Sequence, residues 1–221
     1  CLSGGGARGF AHLGVLQAID ELQISIMQLS GASAGAIAAA LYAEGHSPQH
    51  ILEQIVNRNI WQYLSFAPSK MGLFNLSKTA KILKGLIPHD SFEGLKLPIT
   101  VCATNISKGI PVYFSQGELI NTLCASAAIP VAFRPIIING NNYLDGGLIN
   151  NLPLEGLEKC DFKIAINVTP FKKELPVKNM KDIVLKSLYI SVDNQTKLKS
   201  MEADLIIEPA GIMKYDGFRF K

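Results

Sequence analysis

The sequence predicts an α/β fold of three layers, α/β/α, around a mainly parallel central sheet. Three observations carry this. Apolar, β-rich runs alternate with stretches of helical periodicity along the chain. The chain opens as strand, glycine-rich loop and helix. A second strand then meets a second helix at a serine held between small residues, Gly31-Ala32-Ser33-Ala34-Gly35.

In chain order, Cys1-Leu2-Ser3 reads as the tail of a strand and runs into Gly4-Gly5-Gly6-Ala7-Arg8-Gly9. A helix follows, with Phe10, Leu13, Leu16, Ile19 and Leu22 near helical spacing. Residues 24–29 alternate apolar and polar as a short strand does, and the alanine-rich run after Ser33 is a helix. Ser47-Pro48 supplies an N-cap and a first-turn proline for the next helix, through Ile51, Leu52, Ile55 and Val56. From Trp61 to Asn75 periodicity is lost, and this apolar stretch reads equally well as a lipid-facing lid or as an ordinary packed loop. Residues 77–84 form a short amphipathic helix. Residues 97–103 read as a central strand, with residues 110–115 beside it, and residues 118–128 as a helix stopped by Pro130. Residues 135–138 and 142–144 form a hairpin around Asn139-Gly140-Asn141, and Asp145-Gly146-Gly147 follows at once. Residues 162–168 are a buried strand, residues 179–199 a long helix and residues 205–207 a last strand.

The 221 residues fit one domain, 1–221. A hydrophobic fraction of 48% against 18% charged residues suits a sizeable core. A net charge of +3 gives no case for nucleic acid and permits only weak attraction to an anionic lipid surface. Cys1, Cys102, Cys124 and Cys160 are irregularly spaced, with no C-x-x-C, so neither a disulfide framework nor a metal site is expected; Cys102 and Cys124 read as buried thiols. The expected setting is cytoplasmic. No apolar run reaches the length of about 20 residues that spans a bilayer. The chain opens on Cys1 rather than Met, so the N-terminal strand is expected to be truncated, and Lys221 carries no stop signal. A lost signal peptide or further domain stays open.

Small neighbours around Ser33 allow a sharp turn with an exposed hydroxyl, as a nucleophile elbow requires. The alternative is a serine that merely caps the following helix. The opening glycine loop leads into a helix and suits an anion, either a phosphate or an oxyanion formed in acyl transfer. Its spacing fits neither the dinucleotide-binding pattern nor a P-loop. Asp145 stands at a strand end, as a base for Ser33 or as a simple turn aspartate. His12, on the first helix, reads as a packed residue ahead of an acid–base role; His46 and His50 read as surface residues. All four histidines, His89 included, precede Asp145, which excludes a triad in the order serine, Asp145, histidine.

Gly4-Gly5-Gly6-Ala7-Arg8-Gly9, Gly31-Ala32-Ser33-Ala34-Gly35 and Asp145-Gly146-Gly147, in that order, resemble the patatin-like phospholipase family, closest to its small bacterial members. Phe10-Ala11-His12-Leu13-Gly14-Val15-Leu16, Ala125-Ser126-Ala127-Ala128-Ile129-Pro130 and Asn151-Leu152-Pro153 support the likeness. The resemblance implies a patatin-like fold and a serine acyl-ester hydrolase of phospholipase A or lysophospholipase type, using a Ser-Asp dyad. Ser33 would be the nucleophile and Asp145 the general base. Gly4, Gly5, Gly6, Ala7 and Arg8 would form the oxyanion loop, the N–H groups of Gly5, Gly6 and Ala7 donating. An aspartate of ordinary pKa, about 3.9, is a weak base at neutral pH, so most of the help is expected from that loop. No cofactor and no metal are implied. The expected partner is a lipid or other acyl ester, with transient membrane-surface contact and no nucleic acid. Alternative readings are a transacylase and a non-catalytic regulatory or lipid-binding protein.

Overall fold

The computed structural model describes residues 1–57, 62–157, 159–170, 177 and 179–215. Trp61 lies outside them. Helices cover both sides of a mixed sheet. Its parallel half consists of β1 (Leu29–Ala32) beside β4 (Ile99–Asn105), and of β8 (Ile164–Ile166) beside β9 (Leu205–Ile207). Leu2 joins the two pairs by parallel bridges to Gly31 and Ile166. The antiparallel half consists of β5 (Ile110–Phe114), β6 (Ile136–Ile138) and β7 (Asn141–Asp145). The sheet is therefore less parallel than the alternation suggested: two of its connections are tight β-turns, which only antiparallel neighbours accommodate. The turn between β6 and β7 places Asn139 (φ 49°) and Gly140 (φ 75°) in the left-handed region, as a type I′ hairpin demands.

β4 organises the rest. Every one of its residues is buried. Val101 pairs with both Gly31 and Phe114, so β1 and β5 flank opposite edges. Ala103 pairs with both Val112 and Asp145, so β5 and β7 also flank opposite edges. β1 and β7 consequently share one edge of β4. β1 runs parallel to it and ends with Ala32 opposite Cys102; β7 runs antiparallel and ends with Asp145 opposite Ala103. The two strands meet head-on, with adjacent β4 residues as their last partners.

Helix α1 (Phe10–Glu21) follows a 3-10 turn over Gly6–Gly9. α2 (Ala34–Glu44) is buried nearly all round, which its run of alanines permits. α3 (Pro48–Val56) is capped by Ser47, whose hydroxyl accepts from His50 N at 3.2 Å. α4 (Ser77–Leu86) and α5 (Leu119–Ser126) fall close to expectation, as does α6 (Met180–Ser200). Cys102 and Cys124 are buried free thiols.

Three expectations change. Residues 24–28 carry no strand; Ile24 and Met27 are exposed, and β1 starts only at Leu29. Alternation marks a half-buried strand, whereas β1 is buried on both faces and reads Leu-Ser-Gly-Ala, with no alternation to find. The stretch up to Asn75 is an antiparallel hairpin, β2 (Ser65–Ser69) and β3 (Gly72–Asn75); an irregular register and Pro68 hide its period. His46 and His50 are half-buried, their rings stacked at 5.2 Å, with His46 Nε2 bonded to Leu86 O at 2.8 Å. No helix among the described residues is long and apolar enough to cross a membrane.

Candidate active site

Ser33 sits at the turn from β1 into α2 with φ 51° and ψ −124°, a conformation a non-glycine residue holds only under strain. Gly35 makes the turn feasible: a Cβ there would stand 2.3 Å from Leu2 O and 2.5 Å from Ser3 O, inside backbone contact. The Ser33 side chain makes no capping bond to its helix, so it is not spent as an N-cap. Its Oγ donates instead to Asp145 Oδ2 at 2.7 Å, across 112 residues of sequence. The head-on meeting of β1 and β7 accounts for this reach.

Asp145 serves two partners. Oδ1 accepts from Gly147 N at 2.8 Å, which is the turn role, while Oδ2 faces the serine. Its backbone is tied on both sides, by Asp145 N to Ala128 O at 2.9 Å and by Thr104 Oγ1 to Asp145 O at 2.9 Å. Burial pushes its carboxyl from 3.8 up to about 6; the hydrogen bonds from Ser33 and Gly147 pull the other way and are outweighed. A carboxylate so desolvated is a stronger base than the ordinary aspartate expected from sequence.

The glycine loop lies beside this pair. Ser3 N donates to Ile166 O at 3.0 Å, and Ser3 O accepts from His12 Nε2 at 2.7 Å. His12 is fully buried, and that burial lowers its pKa to about 4, so it is the packed residue expected. Gly4 N donates to Asn151 O at 3.1 Å and Arg8 N to Gly5 O at 3.1 Å, so these two N–H groups are engaged within the fold. Gly6 and Ala7 open the 3-10 turn, where N–H groups have no intrahelical partner. Gly5 and Gly6 line a cavity with Ser33, and Ala7 is buried. Arg8 lines that cavity and its Nε donates to Tyr215 O at 2.9 Å.

Two cavities meet at Ser33. One, of about 110 Å³, is bordered by the glycine loop, Arg8, Asp145, Asn151 and Thr169. The other, of about 350 Å³, is walled by apolar side chains including Phe10, Leu13, Ile37, Leu41, Leu83 and Phe133. Ser33, Gly6 and Ile129 border both. The arrangement offers a hydroxyl with a partnered carboxylate, amides at a glycine loop, a greasy chamber and a smaller one that Arg8, Asn151 and Thr169 also border. Among the described residues no group of three or more histidine, cysteine, aspartate or glutamate side chains could hold a metal ion.

Ser126 escaped sequence reasoning. It is buried, its Oγ accepts from Ser33 N at 2.8 Å and donates to Cys102 O at 2.6 Å, and it thereby pins the elbow to β4. Asn151 likewise links the glycine loop to Thr169 and Thr196 through Nδ2, at 2.9 and 3.3 Å. Both act through backbone or second partners, and no spacing rule reveals that; their inclusion in small apolar motifs was the only signal.

Comparison with known proteins places the chain among relatives. The chain is 31% identical over 171 residues to an uncharacterized NTE family protein of Mycobacterium tuberculosis, covering 76% of this chain and 48% of that protein. It is 26% identical over 243 residues to lysophospholipase NTE1 of Kluyveromyces lactis, covering 94% of this chain and 17% of that protein. The chain thus spans half or less of the length of these relatives. The crystal structure of VipD from Legionella pneumophila superposes with a TM-score of 0.59 at 18% identity, over 84% of this chain and 51% of that one, which shows a shared fold. The sequence model described as patatin-like phospholipase matches residues 1–157, and the chain belongs to that family.

Proposed function

We propose that this chain is a serine carboxylic ester hydrolase acting on lipid acyl esters, of phospholipase A or lysophospholipase type. The observation that carries the reading is the 2.7 Å hydrogen bond from Ser33 Oγ, on a strained elbow, to the buried Asp145 carboxylate. Ser33 Oγ attacks the ester carbonyl while Asp145 takes its proton. The tetrahedral oxyanion forms against the N–H groups of Gly5, Gly6 and Ala7, where a single donor contributes about 2.7–4 kcal/mol in comparable sites. Asp145 then returns the proton to the leaving alcohol. Water repeats the sequence on the acyl-enzyme and frees the acid. The apolar cavity takes the acyl chain and the smaller one the alcohol portion. The fungal relatives named lysophospholipases support a lipid substrate.

The test is hydrolysis of p-nitrophenyl esters of graded acyl length by wild type and Ser33→Ala. Turnover by wild type with a folded, inactive Ser33→Ala protein is the expected result. Equal activity in both, or none in either, refutes the reading.

A further inference from the structure

The mouth of the apolar cavity carries a surface that the chemistry at Ser33 does not use. The β2–β3 hairpin and α4 have an inner and an outer side. On the inner side Leu64, Phe74, Leu76, Ile82 and Leu83 line the cavity. On the outer side Phe66 is 69%, Met71 59% and Leu73 47% exposed. Val131 joins them at 73%, because the neighbouring Ala132 carbonyl accepts from the N–H groups of Leu73 (3.2 Å) and Phe74 (2.9 Å). Arg134 fastens the same segment by donating to Ala67 O and to Phe74 O. Val131 also holds φ 68°, a conformation strained for a β-branched residue, and keeps an apolar side chain in water.

Charge on this region has one sign. Between Glu53 and Asp90 the sequence holds Arg58, Lys70, Lys78, Lys81 and Lys84 and no aspartate or glutamate. Residues 119–144 add Arg134 and again no acid. The whole chain is nearly balanced, at +3 with 18 acidic residues, so its acids lie outside these two stretches of sequence. Exposed apolar side chains flanked by lysines complement the interface of an anionic bilayer, where acyl tails lie beneath negative headgroups.

We propose that the β2–β3 hairpin, with residues 131–134, is a docking element for anionic lipid bilayers. Met71, Leu73, Phe66 and Val131 enter the interface, and the lysines face the headgroups. An acyl chain then passes from bilayer to cavity without crossing water. The purpose of this docking rests on the acyl-ester reading of Ser33, but docking is measured without turnover.

The experiment is co-sedimentation of the Ser33→Ala protein with phosphatidylcholine vesicles, with and without phosphatidylserine. Binding is expected with phosphatidylserine and is weakened by salt. Lys70→Gln with Lys81→Gln lowers that affinity about 25-fold, at roughly fivefold per lysine. Met71→Ser with Leu73→Ser lowers it further, while both pairs, made in the active protein, hydrolyse a short soluble ester at the wild-type rate. If the serine pair unfolds, the exposed lysine pair decides alone. No binding to phosphatidylserine vesicles, or binding that the lysine pair leaves unchanged, overturns the proposal. A protein that docks but never hydrolyses any ester overturns only the reading of Ser33.

Discussion

Replacing Asp145 by asparagine removes a buried charge and leaves the shape of the site nearly intact. The amide oxygen still accepts from Gly147 N, and the amide nitrogen faces Ser33 Oγ in place of Oδ2. The carboxyl titrates at about 6 in the fold against 3.8 in the unfolded chain. The folded protein thus holds this proton more tightly than the unfolded one. Stability falls as pH rises from about 4 to about 6 and is level above that. The pKa difference corresponds to ~3 kcal/mol of destabilisation from the ionised group above pH 6. Asp145→Asn escapes it. At pH 8 the variant is therefore expected to be more stable by up to ~3 kcal/mol, which raises Tm by about 6–12 °C at 2–4 °C per kcal/mol. At pH 4, where the wild-type carboxyl is also neutral, the two proteins melt together. The same substitution takes away the proposed general base and is expected to lower kcat by about 10²–10⁴-fold. Thermal unfolding followed by circular dichroism at both pH values is the assay. A variant less stable at pH 8, or a difference that is the same at pH 4 and pH 8, refutes the account of Asp145 as a desolvated carboxylate.

Wild-type kcat/KM on a soluble ester is expected to rise about tenfold per pH unit up to about pH 6 and then level; a flat profile between pH 4 and 7 speaks against Asp145 as base. Ser33→Gly relieves the strain at φ 51° and is expected to gain about 1 kcal/mol or more of stability by denaturant titration while losing turnover; Ser33→Ala loses turnover without that gain. Ser126→Ala leaves Ser33 N and Cys102 O without their partner in the core, costing about 1–3 kcal/mol each way the fold fails to compensate, and is expected to lower kcat with KM little changed. Lengthening the acyl chain by two carbons is expected to raise kcat/KM about 15-fold, at about 0.8 kcal/mol per methylene, until the 350 Å³ cavity is filled; Ala38→Phe, which narrows that cavity, moves the optimum to shorter chains.

The elements that sequence reading locates well are those whose local chemistry is self-sufficient. Ser47-Pro48 announces α3, Asn139-Gly140 announces the β6–β7 hairpin, and small residues around Ser33 announce a sharp turn, because each signal is written in adjacent residues. β1 was misplaced because a strand buried on both faces has no alternation to read. The β2–β3 hairpin was missed because Pro68 and an irregular register break its period. Asp145 at a strand end reads as a partner for Ser33 or as a plain turn residue; the physical cause of their contact is the shared edge of β4, a property of three strands at once. The raised pKa of Asp145 has no local signature either, since it comes from burial against β4, the residues after α5 and the elbow at Ser33.

Because β1 and β7 end on neighbouring residues of β4, the separation of Ser33 and Asp145 reports the alignment of two independent pairings. A slip of one residue in either would shift its strand by about 3.3 Å and turn its side chains to the other face. A collapsed chain with approximate pairing would therefore carry both groups yet bring them nowhere near each other. Competence should arrive all at once, in the last step of assembly, so that recovery of turnover after dilution from denaturant lags behind recovery of helix signal. Loops between the two strands that touch neither group, such as residues 106–109, are by contrast free to vary in length, provided β4, Ser126 and Ala128 keep their places.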